Sequence, residues 1–459
     1  MEKPGTRSPQ RARGTTRTSA AASRQELHEL AVETAVWAMP IVSFDAMRQA
    51  FFRDASANYG DIAYLSKFAG SNFQITTPNA ATRYVYFNFN THDGPLVLEI
   101  PPAIGAGLFG SILDAWQVPL VDVGPEGADQ GRGGRYILLP PDYRAEPPGG
   151  YLAVRPQTFN GYAVFRAIAE GTSHAAAHNA LELVKRLRLY PPSQISHPPE
   201  QRFINLGGKP FDGIVRFDES FYASLARMLG EEPALPRDAD MQRVLHAFGF
   251  DKGSDFAPDE TMLEILSTAA ATARDEFMRK APLEGNTHWP NRAWRWPSAV
   301  GARTGFTFEE DGVLDVEARA LMYFLACAPP AKLGKASAYL TAWVDGDRHL
   351  LTGERSYRLR VPAPVPARQF WAATVYDAET AAFLRDSPRV ELNSYDELLQ
   401  TNLDGSVDLY FGPRAPDGKE SNWVPTSAGR QWFTIFRLYG PGPALFDKSW
   451  QLPDIEAAR

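Results

Sequence analysis

The sequence predicts a mainly β protein with helices, in which two β regions flank a helical stretch. Three observations carry this. Gly and Pro number 36 and 37 of 459 residues and aromatics make up 12%, which suits short strands joined by turns better than a helix bundle. Strand-like runs broken by turn residues dominate 84–168 and return from 338 onward, a rhythm that indicates a sandwich or barrel of antiparallel strands. Between them, 193–330 carries apolar residues at helical spacing. A chain this long divides into two or three domains and can bury a large core.

Local signals order the elements. Ser23-x-x-Glu26 is a capping box, in which hydroxyl and carboxylate each satisfy an orphan amide of a first helical turn. Leu27, Leu30, Ala31, Thr34, Trp37, Ala38 and Ile41 follow at helical spacing. This helix should lay its mixed face on a sheet, and Pro40 should kink or divide it. The clearest strands of the first β region are 84–89, 95–100, 118–123, 135–139 and 151–155. Thr172 or Ser173 then caps a helix that Tyr190-Pro191-Pro192 stops. Helices are expected at 218–229, 238–248, 258–280 and 316–327. Trp289, Trp294 and Trp296 should be buried where the two β regions meet, because three tryptophans so close together are costly to leave in water. The second β region has its clearest strands at 355–361, 369–376, 407–411 and 431–438. The resulting division is a disordered tail at 1–22, an N-terminal β domain at 23–192, a mainly helical connector at 193–330 and a C-terminal β domain at 331–459. The two β regions do not align with each other, so no internal repeat is expected.

Composition excludes several classes. A net charge of −7 argues against general nucleic-acid binding, which needs a basic face. Cys327 is the single cysteine, so an internal disulfide and a Cys-based metal cluster are ruled out. Residues 1–22 are basic and Ser/Thr-rich with almost no large apolar groups, unlike a secretory signal. No apolar run long enough to span a bilayer is read from the sequence, so a soluble, cytoplasmic protein with no membrane partner is expected.

The stretch 72–116 carries the most specific pattern: TPNAATRY, then GPLVLEIPP and ILDAW, followed by GGRYILLPP and PPGGYLAVR. Near the C-terminus stand FWAATVYD, NLDGSVDLYFGP, SNWVP and FRLYGPGPALFDKSWQLPDIE. With these motifs the chain resembles a largely bacterial family that combines domain of unknown function 1254 with domain of unknown function 1214. The resemblance runs from about Ala31 to Glu456, least in the connector. It implies two jelly-roll-like antiparallel β-sandwich domains joined by a helical connector, and no agreed activity or catalytic residues. In the family pattern the sequence after TPN reads any residue, then Asp, then Thr. Here Ala81 stands in place of that Asp.

Asn79, Arg83, Tyr84, Asp114 and Trp116 form the first candidate site. Asp114 could act as general base and Tyr84 as acid or oxyanion donor, with Asn79, Arg83 and Trp116 holding substrate. The plainer alternative is that Asn79 and Asp114 bond turn amides. Alternation puts Tyr84, Tyr86 and Asn88 on one face of their strand and Val85, Phe87 and Phe89 on the other, so Asn79, Tyr84 and Asp114 are expected to converge on one concavity. A second cluster comprises Asp404, Ser406, Asn422, Trp423 and Arg437. There Asn422 and Trp423 could grip a flat ligand or could lock sheets together, and Asp404-Gly405-Ser406 reads as a hairpin turn. His174 and His178 have chelating spacing but no third ligand in sight, so no metal and no cofactor is expected. The functional expectation is a cofactor-independent hydrolase or lyase acting on a small organic molecule. The alternative is a non-catalytic ligand-binding or assembly protein, with homo-oligomers compatible with either. A pocket joining 77–84 to Asp114, with a carboxylate of raised pKa, would favour the enzyme.

Overall fold

The computed structural model describes residues 23–171, 173–250, 253, 255–333 and 336–458. The expected tail at 1–22, and Thr172 as a helix cap, lie outside them. The capping box forms as read: Ser23 Oγ accepts the Glu26 N–H at 3.2 Å and the Glu26 carboxylate accepts the Ser23 N–H at 2.8 Å. It opens α1 (Arg24–Arg53), which Pro40 does not divide. Proline removes a helical donor and crowds the preceding turn, and side chains from elsewhere use the carbonyls there. Gln117 Nε2 donates to Pro40 O at 2.8 Å, and Arg319 Nη2 donates to Trp37 O at 2.8 Å.

The N-terminal half continues with β1 (Ile62–Tyr64), β2 (Phe73–Gln74), β3 (Arg83–Asn90), β4 (Leu96–Ile100) and β5 (Ala106–Asp114). Next come β6 (Pro119–Val123), β7 (Gly134–Leu138), β8 (Leu152–Val154), β9 (Asn160–Ala169), α2 (His174–Val184) and β10 (Arg188–Tyr190). The middle of the chain holds β11 (Phe203–Asn205), β12 (Phe211–Asp212), α3 (Glu219–Glu231), α4 (Ala239–Ala247) and α5 (Glu260–Lys280). After these come β13 (Asn286–Thr287), β14 (Arg295–Trp296), α6 (Ala299–Thr304), β15 (Glu309–Glu310), β16 (Val313–Leu314) and α7 (Val316–Leu325). The C-terminal half has β17 (Ser337–Ala342), β18 (Tyr357–Val361), β19 (Trp371–Asp377), β20 (Glu391–Asn393) and β21 (Val407–Gly412). It closes with β22 (Trp423–Pro425), β23 (Trp432–Tyr439), α8 (Pro443–Phe446) and β24 (Glu456–Ala457). Helix and strand are nearly equal, at 27% and 26%, so the fold is mixed α/β rather than mainly β, and the described residues form no barrel. The four helices expected in the middle stretch form, and Asp218, Asp259 and Asp315 cap three of them.

Strand order overturns the expectation of no repeat. The large N-terminal sheet runs β11-β1-β3-β9-β5-β6 and the large C-terminal sheet β13-β14-β17-β23-β19-β20. Each has a four-stranded companion, β10-β4-β7-β8 and β24-β18-β21-β22 in matching direction. From β1 and from β14 onward, the same strand order and the same pairing senses occur twice, down to the parallel pairs β7–β8 and β21–β22. Connections of different length between matched strands hide the repeat from direct alignment. Nor are the sheets wholly antiparallel, because β1–β11 and β2–β12 are also parallel pairs. These extra edge partners come from the middle stretch.

Each half packs a core between its two sheets. Val85, Phe87 and Phe89 meet Leu98, Tyr136 and Leu138 in the first, while Leu340, Val375 and Phe436 meet Leu359, Leu409 and Phe411 in the second. Trp289 and Trp294 are buried in that second core and Trp296 is half-buried against it. The tryptophans therefore belong to the C-terminal half and not to the meeting of the two halves, because β13 and β14 have joined its sheet. A third core gathers the opposite faces of both large sheets, including Tyr84, Tyr86, Tyr376 and Phe433, around α1, α3, α5 and α7. Helix α1 is buried on every side at its centre, as an all-round apolar helix must be. It is also long and apolar enough to cross a membrane by length and composition, which corrects the reading that no such run exists. In the fold 78% of that window is buried in the protein.

A charge network ties α1 to α3. Asp45, fully buried, accepts Arg48 at 2.7 and 2.9 Å, Ser224 at 2.5 Å and Arg227 at 2.9 Å. Burial raises the Asp45 pKa, but Arg48, Ser224 and Arg227 outweigh it and leave the carboxyl below its usual 3.8. A depressed carboxylate stabilises above its unfolded pKa, and that stability is lost as pH falls through the folded value. Asp45→Ala would leave Ser224 and Arg227 without their carboxylate and Arg48 with Glu231 as its remaining acidic partner, and it should lower the unfolding free energy in denaturant titration by about 2–3 kcal/mol. A loss under ~1 kcal/mol, typical of an exposed pair, would contradict this account.

Candidate functional site

The Thr77-Pro78-Asn79 turn lies between the two halves. Thr77 adopts φ 42°, a left-handed conformation held by its surroundings. Its N–H donates to Ala381 O at 2.6 Å and its hydroxyl to Leu325 O at 3.0 Å. The C-terminal sheet grips the same turn: Tyr376 OH donates to Pro78 O at 2.6 Å and Arg437 Nη2 to Thr77 O at 3.3 Å. Asn79 donates its backbone N–H to Tyr84 OH at 2.8 Å and its side-chain amide to Tyr439 OH. Its carbonyl oxygen accepts the Ala81 N–H at 2.7 Å, a side-chain turn of the kind Asn favours.

Around this turn gathers a constellation that sequence reasoning mostly missed. Tyr84 pairs across the strands with Arg166, and Tyr339 with Arg437. These are matched positions of the repeated topology, and each arginine follows a phenylalanine, Phe165 or Phe436. The Arg437 guanidinium lies 5.1 Å from the Tyr339 ring and 5.5 Å from Tyr376, and that of Arg166 lies 5.7 Å from Tyr84 and 5.5 Å from Phe109, within cation–π range. Arg437 is buried and donates to Thr374 Oγ1 at 2.8 Å, which donates to the buried Glu391 carboxylate at 2.6 Å. Arg437 thus has a counter-charge at one remove. Half-buried Arg166 faces Tyr84, Tyr339 and Tyr439, and among the described residues no carboxylate pairs with it.

Electrostatics follow the geometry. Burial pushes the Tyr84 and Tyr439 hydroxyls up. Burial pushes Tyr339 up too, but Arg166 and Arg437, helped by hydrogen bonds with Ser337 and Tyr439, outweigh it and bring its hydroxyl below the usual 10.0. Glu391 is raised by burial. Of the Tyr84, Tyr339 and Tyr439 hydroxyls, Tyr339 is the one its surroundings lower.

The other expected site residues lie elsewhere. Asp114 sits opposite Gly161 on β9 and Tyr84 opposite Arg166. Those levels are five residues apart, about 17 Å along a strand, so Asp114 and Tyr84 do not share a concavity. Asp114 accepts the Val118 N–H at 3.0 Å, while its other oxygen is buried without a hydrogen-bond partner. Its matched position in the other half is Asp377, which likewise ends a strand before Ala and accepts a turn amide, that of Glu379, at 2.8 Å. The repeat supports the turn-forming role for both. Trp116 packs 4.9 Å from Trp37 beneath the Arg319 guanidinium at 5.0 Å. Arg83 points away from Tyr84, onto Phe68 at 4.5 Å and Ser66 O at 3.3 Å. Asn422 bonds Gln400 and Asp408 backbone atoms and Trp423 donates to Gly412 O at 2.9 Å, so this pair fastens the small C-terminal sheet. Asp404 accepts Ser406 in its turn and pairs with exposed Arg360. Among the described residues no group of three or more His, Cys, Asp or Glu could hold a metal ion, and His174 and His178 stay a pair.

Burial raises the Asp114 pKa to about 6 against the Val118 amide and the Arg237 charge. A carboxyl raised in the fold stabilises fully below its unfolded pKa and loses that contribution as pH rises through the folded value. Asp114→Asn keeps an acceptor for Val118 and removes the charge. It should raise the unfolding free energy near pH 8 by about 1–3 kcal/mol and flatten the pH dependence between roughly 4 and 6. Denaturant titrations across pH check this, and a destabilised variant near pH 8 would count against the burial argument.

Two family patterns match the chain: protein of unknown function (DUF1254) at 60–191 and protein of unknown function (DUF1214) at 336–443. No curated protein matches in sequence. Among solved structures, the VPA0106 protein from Vibrio parahaemolyticus is similar at 16% identity and TM-score 0.54, covering 94% of this chain and 100% of its own. A putative uncharacterized protein from Burkholderia cenocepacia aligns at 12% identity and TM-score 0.40, over 95% of this chain and 93% of its own. The first of these shows likeness of fold over 94% of this chain. The chain belongs to the proteins that carry a DUF1254 region followed by a DUF1214 region, with the helical middle stretch between the two matches.

Proposed function

We propose that the junction of the two halves binds a small organic anion and that the protein acts on it as a cofactor-independent hydrolase or lyase. The observation that carries this reading is Arg166, a half-buried cation facing tyrosine hydroxyls and without a carboxylate partner among the described residues. Removing a charge from water is costly unless an opposite charge accompanies it. A ligand carboxylate would supply that charge and could take two parallel bonds from the guanidinium. Tyr339, whose hydroxyl the two arginines bring below its usual range, is the general base. As phenolate it would accept a proton from the substrate or from an attacking water and become phenol. Tyr84 and Tyr439, with raised values, remain protonated donors beside it.

The same reading treats each half as a jelly-roll-like β-sandwich. Strands that leave one sheet for its companion and return, as β3, β4 and β5 do, support it. Function then falls where the matched Tyr–Arg pairs of two such units meet.

Thermal unfolding with acetate, benzoate or succinate tests the binding step. A ligand at a hundredfold excess over its Kd stabilises by about 2.7 kcal/mol. At least one of these anions should raise the melting temperature of the wild type. Arg166→Gln should abolish that rise, Arg166→Lys should retain part of it, and Tyr339→Phe should leave it in place. If none of the three anions stabilises the protein, or if the rise survives in Arg166→Gln, the junction is not the anion site.

A further inference from the structure

A cavity lies away from the junction, at the edge of the N-terminal half where β1 and β11 meet β4 and β10. Its volume is about 360 Å³, and its walls include Tyr59, Asp61, Asn90, Glu200, Gln201 and Arg202. That size lies in the range of small-ligand sites. We propose that this cleft binds a neutral polyhydroxylated ligand, a sugar ring or a pair of them.

The Tyr59 ring is 40% exposed, yet its hydroxyl is fixed. It donates to Asn160 Oδ1 at 2.5 Å and accepts Arg48 Nη1 at 2.9 Å, and the ring makes a T-shaped contact with Phe52 at 5.2 Å. The result is a held aromatic ring, partly exposed and lining the cavity, suited to the C–H face of a sugar ring. The amide walls are equally set. Gln201 donates to Gly60 O at 2.5 Å and accepts the Leu189 N–H at 2.9 Å. Asn90 donates to Asn160 at 2.9 Å and accepts the His92 N–H at 2.8 Å. Little rearrangement is left to oppose binding.

Charge selects the ligand class. Arg202, the lining cation, is spent on Asp61 at 2.7 Å, so no unpaired cation awaits an anion there. Asp61 also accepts the Asn58 N–H at 2.7 Å. Exposed Glu200 forms no ion pair among the described residues, and it offers two acceptor oxygens at the rim. Unspent acceptors beside a held aromatic ring suit a ligand that is rich in hydroxyl donors and carries no negative charge. This is the opposite preference from the arginine junction, so the two sites take different molecules.

The test is saturation-transfer NMR on the full chain with D-glucose, D-galactose and maltose as probes. At least one probe should receive saturation at its ring protons. Tyr59→Ala should weaken binding roughly tenfold, and Tyr59→Phe, which keeps the ring, should weaken it far less. Because Tyr59→Ala also disturbs the Arg48 network, Glu200→Gln at the exposed rim gives an independent check and should weaken binding severalfold without changing the melting temperature. Arg166→Gln should leave sugar binding unchanged, which separates failure here from failure at the junction. No transfer to any of the three sugars would overturn the proposal. So would transfer undiminished in both Tyr59→Ala and Glu200→Gln, or transfer lost in a folded Arg166→Gln protein.

Discussion

Each large sheet in this protein buries both of its faces, and the rest of the architecture follows from that constraint. One face of each meets a four-stranded companion. The other would be left in water as a broad apolar surface, and the two halves cover it jointly by closing on a shared set of helices. Helix α1 sits at the centre of that set, which explains why its middle turns are apolar all round and why it withstands Pro40. At the rim of this third core, where the Thr77–Asn79 turn meets the C-terminal sheet, polar side chains replace apolar ones. The Tyr–Arg pairs stand there.

The repeated topology brings the same position of each half to the same place, but the two positions have diverged. Arg437 is sunk in the protein and compensated through Thr374 and Glu391. Arg166 is nearer solvent, faces Tyr84, Tyr339 and Tyr439, and has no carboxylate paired with it among the described residues. A buried and tethered cation fits a structural part, since it also clamps the Thr77 carbonyl of the other half. An untethered one is what recognition of an anion needs. The asymmetry between two otherwise matched arginines is the strongest indication of where function lies in this molecule.

Much of the local structure was legible in the sequence because its causes are local. The Ser23 capping box, the aspartate caps of α3, α5 and α7, and the alternation of Tyr84 and Tyr86 against Val85 and Phe87 each depend on a few neighbouring residues. Asn79 and Tyr84 were identified because they sit in one short motif, and they do meet. Asp114 was placed with them by assuming which end of the sheet it reached, and the strand register decides otherwise. Arg166, Tyr339, Tyr376 and Glu391 come from four separate strands, so nothing local joins them. The one available signal was weak: a lone arginine after phenylalanine inside an apolar strand, once in AVFRAIA and again in TIFRLYG. The repeat escaped for a similar reason, since it is preserved as strand order and pairing rather than as side chains.

The claim that two arginines and the tyrosines between them form one electrostatic unit can be measured in the empty protein. Carbon-13 NMR of labelled tyrosine rings, titrated against pH and assigned with Tyr339→Phe, follows each hydroxyl separately. The account predicts that Tyr339 ionises below the usual value of 10.0 while Tyr84 and Tyr439 ionise above it, and that Arg166→Gln moves the Tyr339 midpoint upward. A Tyr339 midpoint at or above 10.0, or one that Arg166→Gln leaves in place, would contradict it.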